Sequence, residues 1–272
     1  MMTRDQYQRE TESAIKLYNE PELRNPCMIA AWPGMGNVAL KGATYLREKL
    51  KAEELGVINP SGFFQSNVVF IRNNLIEEIK LPENKFYYKK NEGLENDILF
   101  FIGEAQPLSG KEYEFANIVL DVAERFKVKR VYTFAAFAID IHYKEKPKVW
   151  GVATSNELLE ELEKYSVLFM NDGHIGGMNG VILGVAKERG MEGVCLLGEM
   201  PYYATQIENP RSSQVVLEIF TKMLRIKIDM TELEILARYT EGEIEKFVLK
   251  IEELKLDQIL KKDEDKGPGY VH

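Results

Sequence analysis

The chain has 272 residues, 45% hydrophobic and 29% charged, with a net charge of −8. That length suits one large α/β domain with an appendage, and the composition supports a sizeable core, which excludes disorder for most of the chain. The acidic balance argues against a general nucleic-acid binder, which needs clustered Lys and Arg against phosphates. No apolar run approaches the roughly 20 residues of a bilayer span, and Met1 to Glu12 lacks the apolar segment of a signal peptide, so the expectation is a cytoplasmic protein with no membrane partner.

In chain order, Tyr7, Ala14, Ile15, Leu17 and Tyr18 recur at helical spacing and predict a short helix ending before Pro21. The apolar run Cys27 to Trp32, the turn Pro33-Gly34-Met35-Gly36-Asn37 and the periodic stretch Val38 to Leu50 then read as strand, tight turn and helix. Asn67 to Arg72 and Leu75 to Lys80, joined by Asn73-Asn74, read as a hairpin or antiparallel edge. Asp97 to Ile102 predicts a strand, the apolar face from Tyr113 to Phe126 a helix, and Val128 to Phe134 the next strand. Val149 to Ala153 is another strand, followed by a helix from Glu157 to Tyr165 with Ser155 or Asn156 as its cap. Tyr165 to Met170 is a strand leading into the glycine-rich segment Gly173 to Gly180; Gly193 to Gly198 and Val215 to Leu224 add a strand and a helix. Apolar strands alternating with amphipathic helices predict an α/β fold, a mostly parallel sheet flanked by helices.

Past Leu224 the pattern becomes charged helix. Thr231-Glu232-Leu233-Glu234 begins like a capping box, and a second helix from Glu241 or Gly242 to Leu260 carries Ile244, Phe247, Val248, Ile251 and Leu254 on one stripe. That stripe is predicted to bury itself on the body or on a second subunit, and the five residues are the expected oligomer contacts. The implied division is an α/β domain over 1–228, a C-terminal helical extension over 229–262 and a disordered tail over 263–272.

Candidate chemistry is thin. The cysteines, Cys27 and Cys195, lack metal or redox spacing and read as buried free thiols, and His142, His174 and His272 form no H-x-x-x-H pair for zinc. Pro33 to Asn37 opens like a phosphate-binding G-x-G-x-x-G, but no acidic residue ends a second apolar strand about 20 residues on, so a turn needing positive φ is the better reading. Gly173 to Gly180 lacks the G-K-[ST] ending of a P-loop, and no G-x-S-x-G elbow offers His174 a nucleophile. Glu104, Asp140, Asp172 and Glu199 follow apolar runs where a ligand crevice usually lies; loop hydrogen bonding is preferred over an acidic site. The aromatics Phe63, Phe64, Phe70, Phe86, Tyr87, Tyr88, Tyr202 and Tyr203 suit either a core or protein-interface anchors.

Four loops read together carry a resemblance. Ala31 to Val38, Gly103-Glu104-Ala105-Gln106-Pro107, the glycine run Gly173 to Gly180, and Gly198-Glu199-Met200-Pro201-Tyr202-Tyr203 with Asn209-Pro210 resemble the proteasome assembly chaperone 2-type family, especially its archaeal members, over roughly Pro26 to Leu224. The resemblance implies a three-layer α/β fold similar to nucleoside phosphorylases and hydrolases without their chemistry, no cofactor, a homo-oligomer, and binding to proteasome α-subunits, alone or beside a related chaperone subunit. Many members end in a hydrophobic residue, a tyrosine and a final residue that enter pockets between α-subunits. Here Gly269-Tyr270-Val271-His272 is a shifted version, so Tyr270, Val271 and His272 are the implied partner-binding residues. The alternative is a phosphorylase- or hydrolase-type enzyme acting through Glu104, His174 or Glu199.

Overall fold

The computed structural model of the protein describes residues 14–264 apart from 67, 92 and 94. Its strands are β1 (Ile15–Leu17), β2 (Cys27–Ala31), β3 (Glu53–Ile58), β4 (Ile71–Arg72), β5 (Leu75–Ile76), β6 (Asn84–Lys89), β7 (Ile98–Gly103), β8 (Arg130–Ile139), β9 (Val149–Ala153), β10 (Leu168–Phe169) and β11 (Glu192–Pro201). The helices are α1 (Val38–Lys49), α2 (Glu112–Arg125), α3 (Asn156–Glu163), α4 (Met178–Glu188), α5 (Pro210–Met223) and α6 (Thr231–Glu264).

Nine strands form one sheet in the order β1-β3-β6-β7-β2-β8-β11-β9-β10, and β4 and β5 form a separate ribbon. At the centre β7, β2, β8 and β11 run parallel, while β6, β3 and β1 on one flank and β9 on the other join antiparallel. Every residue of β2 and β7 is buried, the pattern of parallel strands covered on both faces. On one face α2 and α4 set Phe115, Val119 and Ile182 against Trp32 and Phe101. On the other, α1 and α5 set Leu46, Val216 and Phe220 against Phe100 and Phe134. The α/β architecture expected of the apolar runs is therefore present, with a mixed sheet whose parallel part is its core.

Several elements differ from the sequence expectation. Residues 15–17 form a strand rather than a helix, Ile15 standing opposite Ile58 and Leu17 opposite Gly56. Gly56 makes room for that pairing, since a Cβ there would lie 2.4 Å from the Lys16 carbonyl oxygen. The helical spacing loses to an open sheet edge, and Tyr7 lies outside the described residues. Glu53 and Glu54, in a weak strand signal, open β3. Phe86, Tyr87 and Tyr88 sit in β6, an unanticipated strand with strict alternation of burial. The glycine run leads directly into α4, also unanticipated, with Ile182, Val185 and Ala186 turned inward.

The two expected C-terminal helices are one continuous helix of 34 residues. Thr231 does not supply the cap: its N–H donates to Asp229 Oδ1 at 2.9 Å, and Glu234 turns to Arg211 and Arg238 instead. Arg211 on α5 holds Glu234 and, at 2.7 Å, Glu241, so it ties the turns before and across the expected break to one neighbour. Lys49 on α1 adds a pair with Glu232 at 2.8 Å, and Tyr45 Oη donates to the Asp229 carbonyl at 2.8 Å.

A Cβ on Gly103 would lie 2.5 Å from the Trp32 indole, whereas Gly184 in α4 has nothing within 4 Å. Gly103→Ala is expected to cost about 1–3 kcal/mol by overpacking and Gly184→Ala to stabilise by about 0.5–1 kcal/mol, read from urea midpoints. Arg211, then Arg238, hold the Glu234 carboxyl down to about 2 from an ordinary 4.5. A depressed carboxyl contributes stability above its unfolded pKa and loses it as pH falls. The stability difference between wild type and Glu234→Gln is expected to shrink as pH drops from about 4.5 to about 2.

Candidate functional site

The carboxyl ends of the parallel strands bring the four quoted loops together, and amide side chains lock them. Trp32 N–H donates to Asn179 Oδ1 at 3.0 Å, and Asn179 Nδ2 donates back to the Trp32 carbonyl at 3.1 Å. Gln106 Nε2 donates to the Pro33 carbonyl at 2.7 Å while its Oε1 accepts Met178 N–H at 2.9 Å. The loops after β2 and β7 are thus both tied to the start of α4. The loop after β11 closes the set: Gly36 N–H donates to the Thr205 carbonyl at 2.9 Å, and Asn209 N–H to the Gly36 carbonyl at 2.8 Å. Asn209 also caps α5, its Oδ1 accepting Ser212 N–H at 3.0 Å. Gly36 has φ +57, and a Cβ there would meet the Met200 thioether. The turn reading of Pro33 to Asn37 is borne out at that glycine.

Between these loops lies an open cleft of about 1320 Å³, bounded by Pro33 to Met35, Gln106, the β8 residues Ala135 to Ala138 and the segment Asp172 to Gly177. A second hollow of about 850 Å³ lies where Thr154, Gly184 and Lys187 face the same glycine-rich segment. His174 is exposed and lines both.

The candidate carboxylates do not assemble. Glu199 is buried: its Oε2 accepts Lys148 N–H and its Oε1 accepts Trp150 Nε1–H, each at 2.8 Å. Glu104 Oε2 accepts Glu83 N–H at 2.9 Å. The strands carrying Glu104 and Glu199 are separated by β2 and β8, which puts them roughly 14 Å apart across the sheet. Asp140 and Asp172 are exposed. Loop hydrogen bonding is thus the observed role of both glutamates. Cys27 and Cys195 are buried free thiols, and burial pushes both up to about 12, which keeps them protonated at neutral pH. Among the described residues no group of three or more His, Cys, Asp and Glu is placed to hold a metal.

The helical stripe divides. Ile244 is buried on its own body at 3% exposure, Val248 and Ile251 are half-buried, and Phe247 and Leu254 are exposed at 42% and 54%. Tyr270, Val271 and His272 lie outside the described residues. Of the aromatics, Phe63, Phe64, Phe86 and Tyr88 are core, whereas Phe70 and Tyr202 face solvent. Asn179 and Gln106 stood in the quoted loops, but their clamping role escaped the sequence reading. An amide beside a run of glycines was the available signal, since a backbone without side chains needs an outside partner to fix it.

A family model described as the PAC2 family matches residues 28–248. The uncharacterized protein MJ1210 of Methanocaldococcus jannaschii is 31% identical over 249 residues, 91% of this chain and 90% of that one. Among solved structures, Pyrococcus furiosus PbaB, described as an archaeal proteasome activator, superposes with a TM-score of 0.74 at 30% identity, covering 86% of this chain and 97% of its own. PbaA of the same organism, described as an archaeal homolog of proteasome-assembly chaperone, has a TM-score of 0.68 at 24% identity, covering 93% and 99%.

If Glu199 serves the loops, replacing it by Gln removes one of two buried acceptors. Glu199→Gln is expected to lower stability by about 1.5–3 kcal/mol, read from a urea titration followed by tryptophan fluorescence. An unchanged midpoint would mean that the carboxylate is not needed by Lys148 N–H and Trp150.

Proposed function

The chain belongs to the PAC2 family, and on that premise we propose that it is a non-catalytic proteasome assembly chaperone or proteasome-associated scaffold. It acts in the cytoplasm through contacts with proteasome α-subunits or a related chaperone subunit. The observation that carries this reading is the likeness along most of the chain to PbaB, described as an archaeal proteasome activator.

The site supports it from the other side. Two of the three side chains that the enzyme alternative would use are engaged in holding loops: Glu104 accepts the Glu83 N–H, and Glu199 is buried between two donors. No cofactor enters the proposal. The homo-oligomeric part of the reading rests on Phe247 and Leu254, exposed on α6, with Val248 and Ile251 beside them. The partner-binding part rests on Tyr270, Val271 and His272 as a short docking segment with one aromatic anchor. The enzyme alternative is kept by one observation, the cleft of about 1320 Å³ that His174 lines. Turnover of nucleosides or amides that vanishes on His174→Ala would establish it.

The full chain mixed with proteasome α-subunits is expected to co-elute in gel filtration and to alter the rate of ring assembly. Tyr270→Ala is expected to weaken association about thirtyfold, the loss of one aromatic anchor worth about 2 kcal/mol. No association of the intact chain and no effect on assembly would overturn the proposal. Binding that survives removal of 270–272 would assign the contact to the body.

A further inference from the structure

β8 outruns its neighbour on one side. β11 pairs with its full length, Arg130 to Ile139, whereas β2 pairs only with Arg130 to Thr133. Continued in register, Trp32 would stand opposite Ala135. Instead Asn179 takes both backbone groups of Trp32, accepting the N–H at 3.0 Å and donating to the carbonyl at 3.1 Å. Those groups would otherwise have carried the ladder on to β8. Cys27 N–H is turned towards β7, donating to the Asp97 carbonyl at 3.1 Å, so alternation along β2 turns Trp32 the other way.

The edge of β8 past Thr133 is therefore open. The Lys129 carbonyl accepts Glu192 N–H at 2.9 Å, so odd-numbered residues of β8 address β11 and even-numbered ones the opposite edge. Ala136 and Ala138 each aim an N–H and a carbonyl at that edge, and among the described residues nothing pairs with them there. Both residues line the cleft of about 1320 Å³. Ala136 is 7% exposed, so water reaches its backbone poorly, and buried backbone groups are seldom left without a partner.

Spacing and charge select the occupant. Ala136 and Ala138 repeat the same donor and acceptor about 6.6 Å apart, the repeat of alternate residues in a second extended chain. A compact ligand meets one such pair and not both. A strand laid along this edge is collinear with β2 and runs into Trp32 and Asn179, so the groove is closed at that end and takes the end of a chain. Its walls are apolar, with Pro33, Met35, Phe137, Met170, Ile175 and Leu197. Among the described residues lining it, Asp172 carries the one fixed charge, and the chain as a whole carries −8. Both disfavour acidic side chains in the occupant.

We propose that the open edge of β8 at Ala136 and Ala138 binds the extended end of a partner protein by strand addition, with apolar or basic side chains. This goes beyond the proteasome reading and does not rest on it, since it concerns what enters this protein's own cleft.

The probe is a synthetic library of random hexapeptides, half with a free amino end and half with a free carboxyl end, screened against the full chain. Apolar and basic sequences are expected to be retained. In the tightest of them, N-methylation of every second backbone nitrogen is expected to weaken binding about tenfold, and of the intervening ones less. Ala136→Pro removes an N–H that β11 does not use and is expected to weaken binding as much. Amide exchange on wild type covers a variant that fails to fold: the Ala136 and Ala138 amides are expected to slow at least about tenfold when peptide saturates the protein. Retention of no hexapeptide tighter than about 1 mM overturns the proposal, as do acidic selected sequences, an N-methyl scan without alternation, or unchanged exchange at those two amides. Nucleosides that protect the two amides when no hexapeptide does also overturn it, by giving the cleft to a small molecule.

Discussion

The structure depends on one constraint: of its four parallel strands, β2 and β7 have side chains that are dry on both faces. Apolar residues at every position of β2 and β7 leave no solvent side, so helices must cover the sheet above and below. Because the four strands share a direction, their following loops gather at one end. Aliphatic and aromatic packing thus determines where the polar residues meet, although it contributes nothing to what they do there.

At that end the available hydrogen-bonding capacity goes into cohesion. Asn179 satisfies both backbone groups of Trp32, a residue with no exposure, and Gln106 bridges the Pro33 carbonyl and the first N–H of α4. Buried backbone groups left without partners would cost about 1–3 kcal/mol each, so amide side chains at these two positions follow from geometry. Each spans loops far apart in sequence, 147 residues for Asn179 and Trp32, and together they make the strand-end surface a single braced unit. A braced surface suits recognition of another folded protein, which needs shape held constant over a wide area.

What was legible in the sequence tracks how local its cause is. β2, β7, β8 and β11 announce themselves as apolar runs, and Asn73-Asn74 as a turn, because their conformations are set by adjacent residues. β1 was hidden because its pairing depends on an open edge of β3 and on Gly56, neither visible from Ile15 to Leu17. α4 was hidden because the glycines before it drew the reading towards a loop, and its first N–H is satisfied by Gln106, 72 residues away. The unbroken α6 was hidden because Arg211, on another helix, spans the expected break. In the candidate site, the loops were legible and the clamps between them were not, since pairing between distant amides leaves no local pattern. The burial of Glu199 by Lys148 and Trp150 is of the same kind.

Among the described side chains, those that anchor α6 on the body lie nearer its start. Leu233, Ala237 and Ile244 are buried on the body, and Arg211 grips Glu234 and Glu241, all in the half nearer its start. From Ile244 to Glu264 the helix runs on for about 30 Å at 1.5 Å per residue. Over that length, a tilt of about 10° at Arg211 displaces the far end by about 5 Å. The side chains around Arg211 therefore act on distance as well as stability, setting how wide a gap this arm spans.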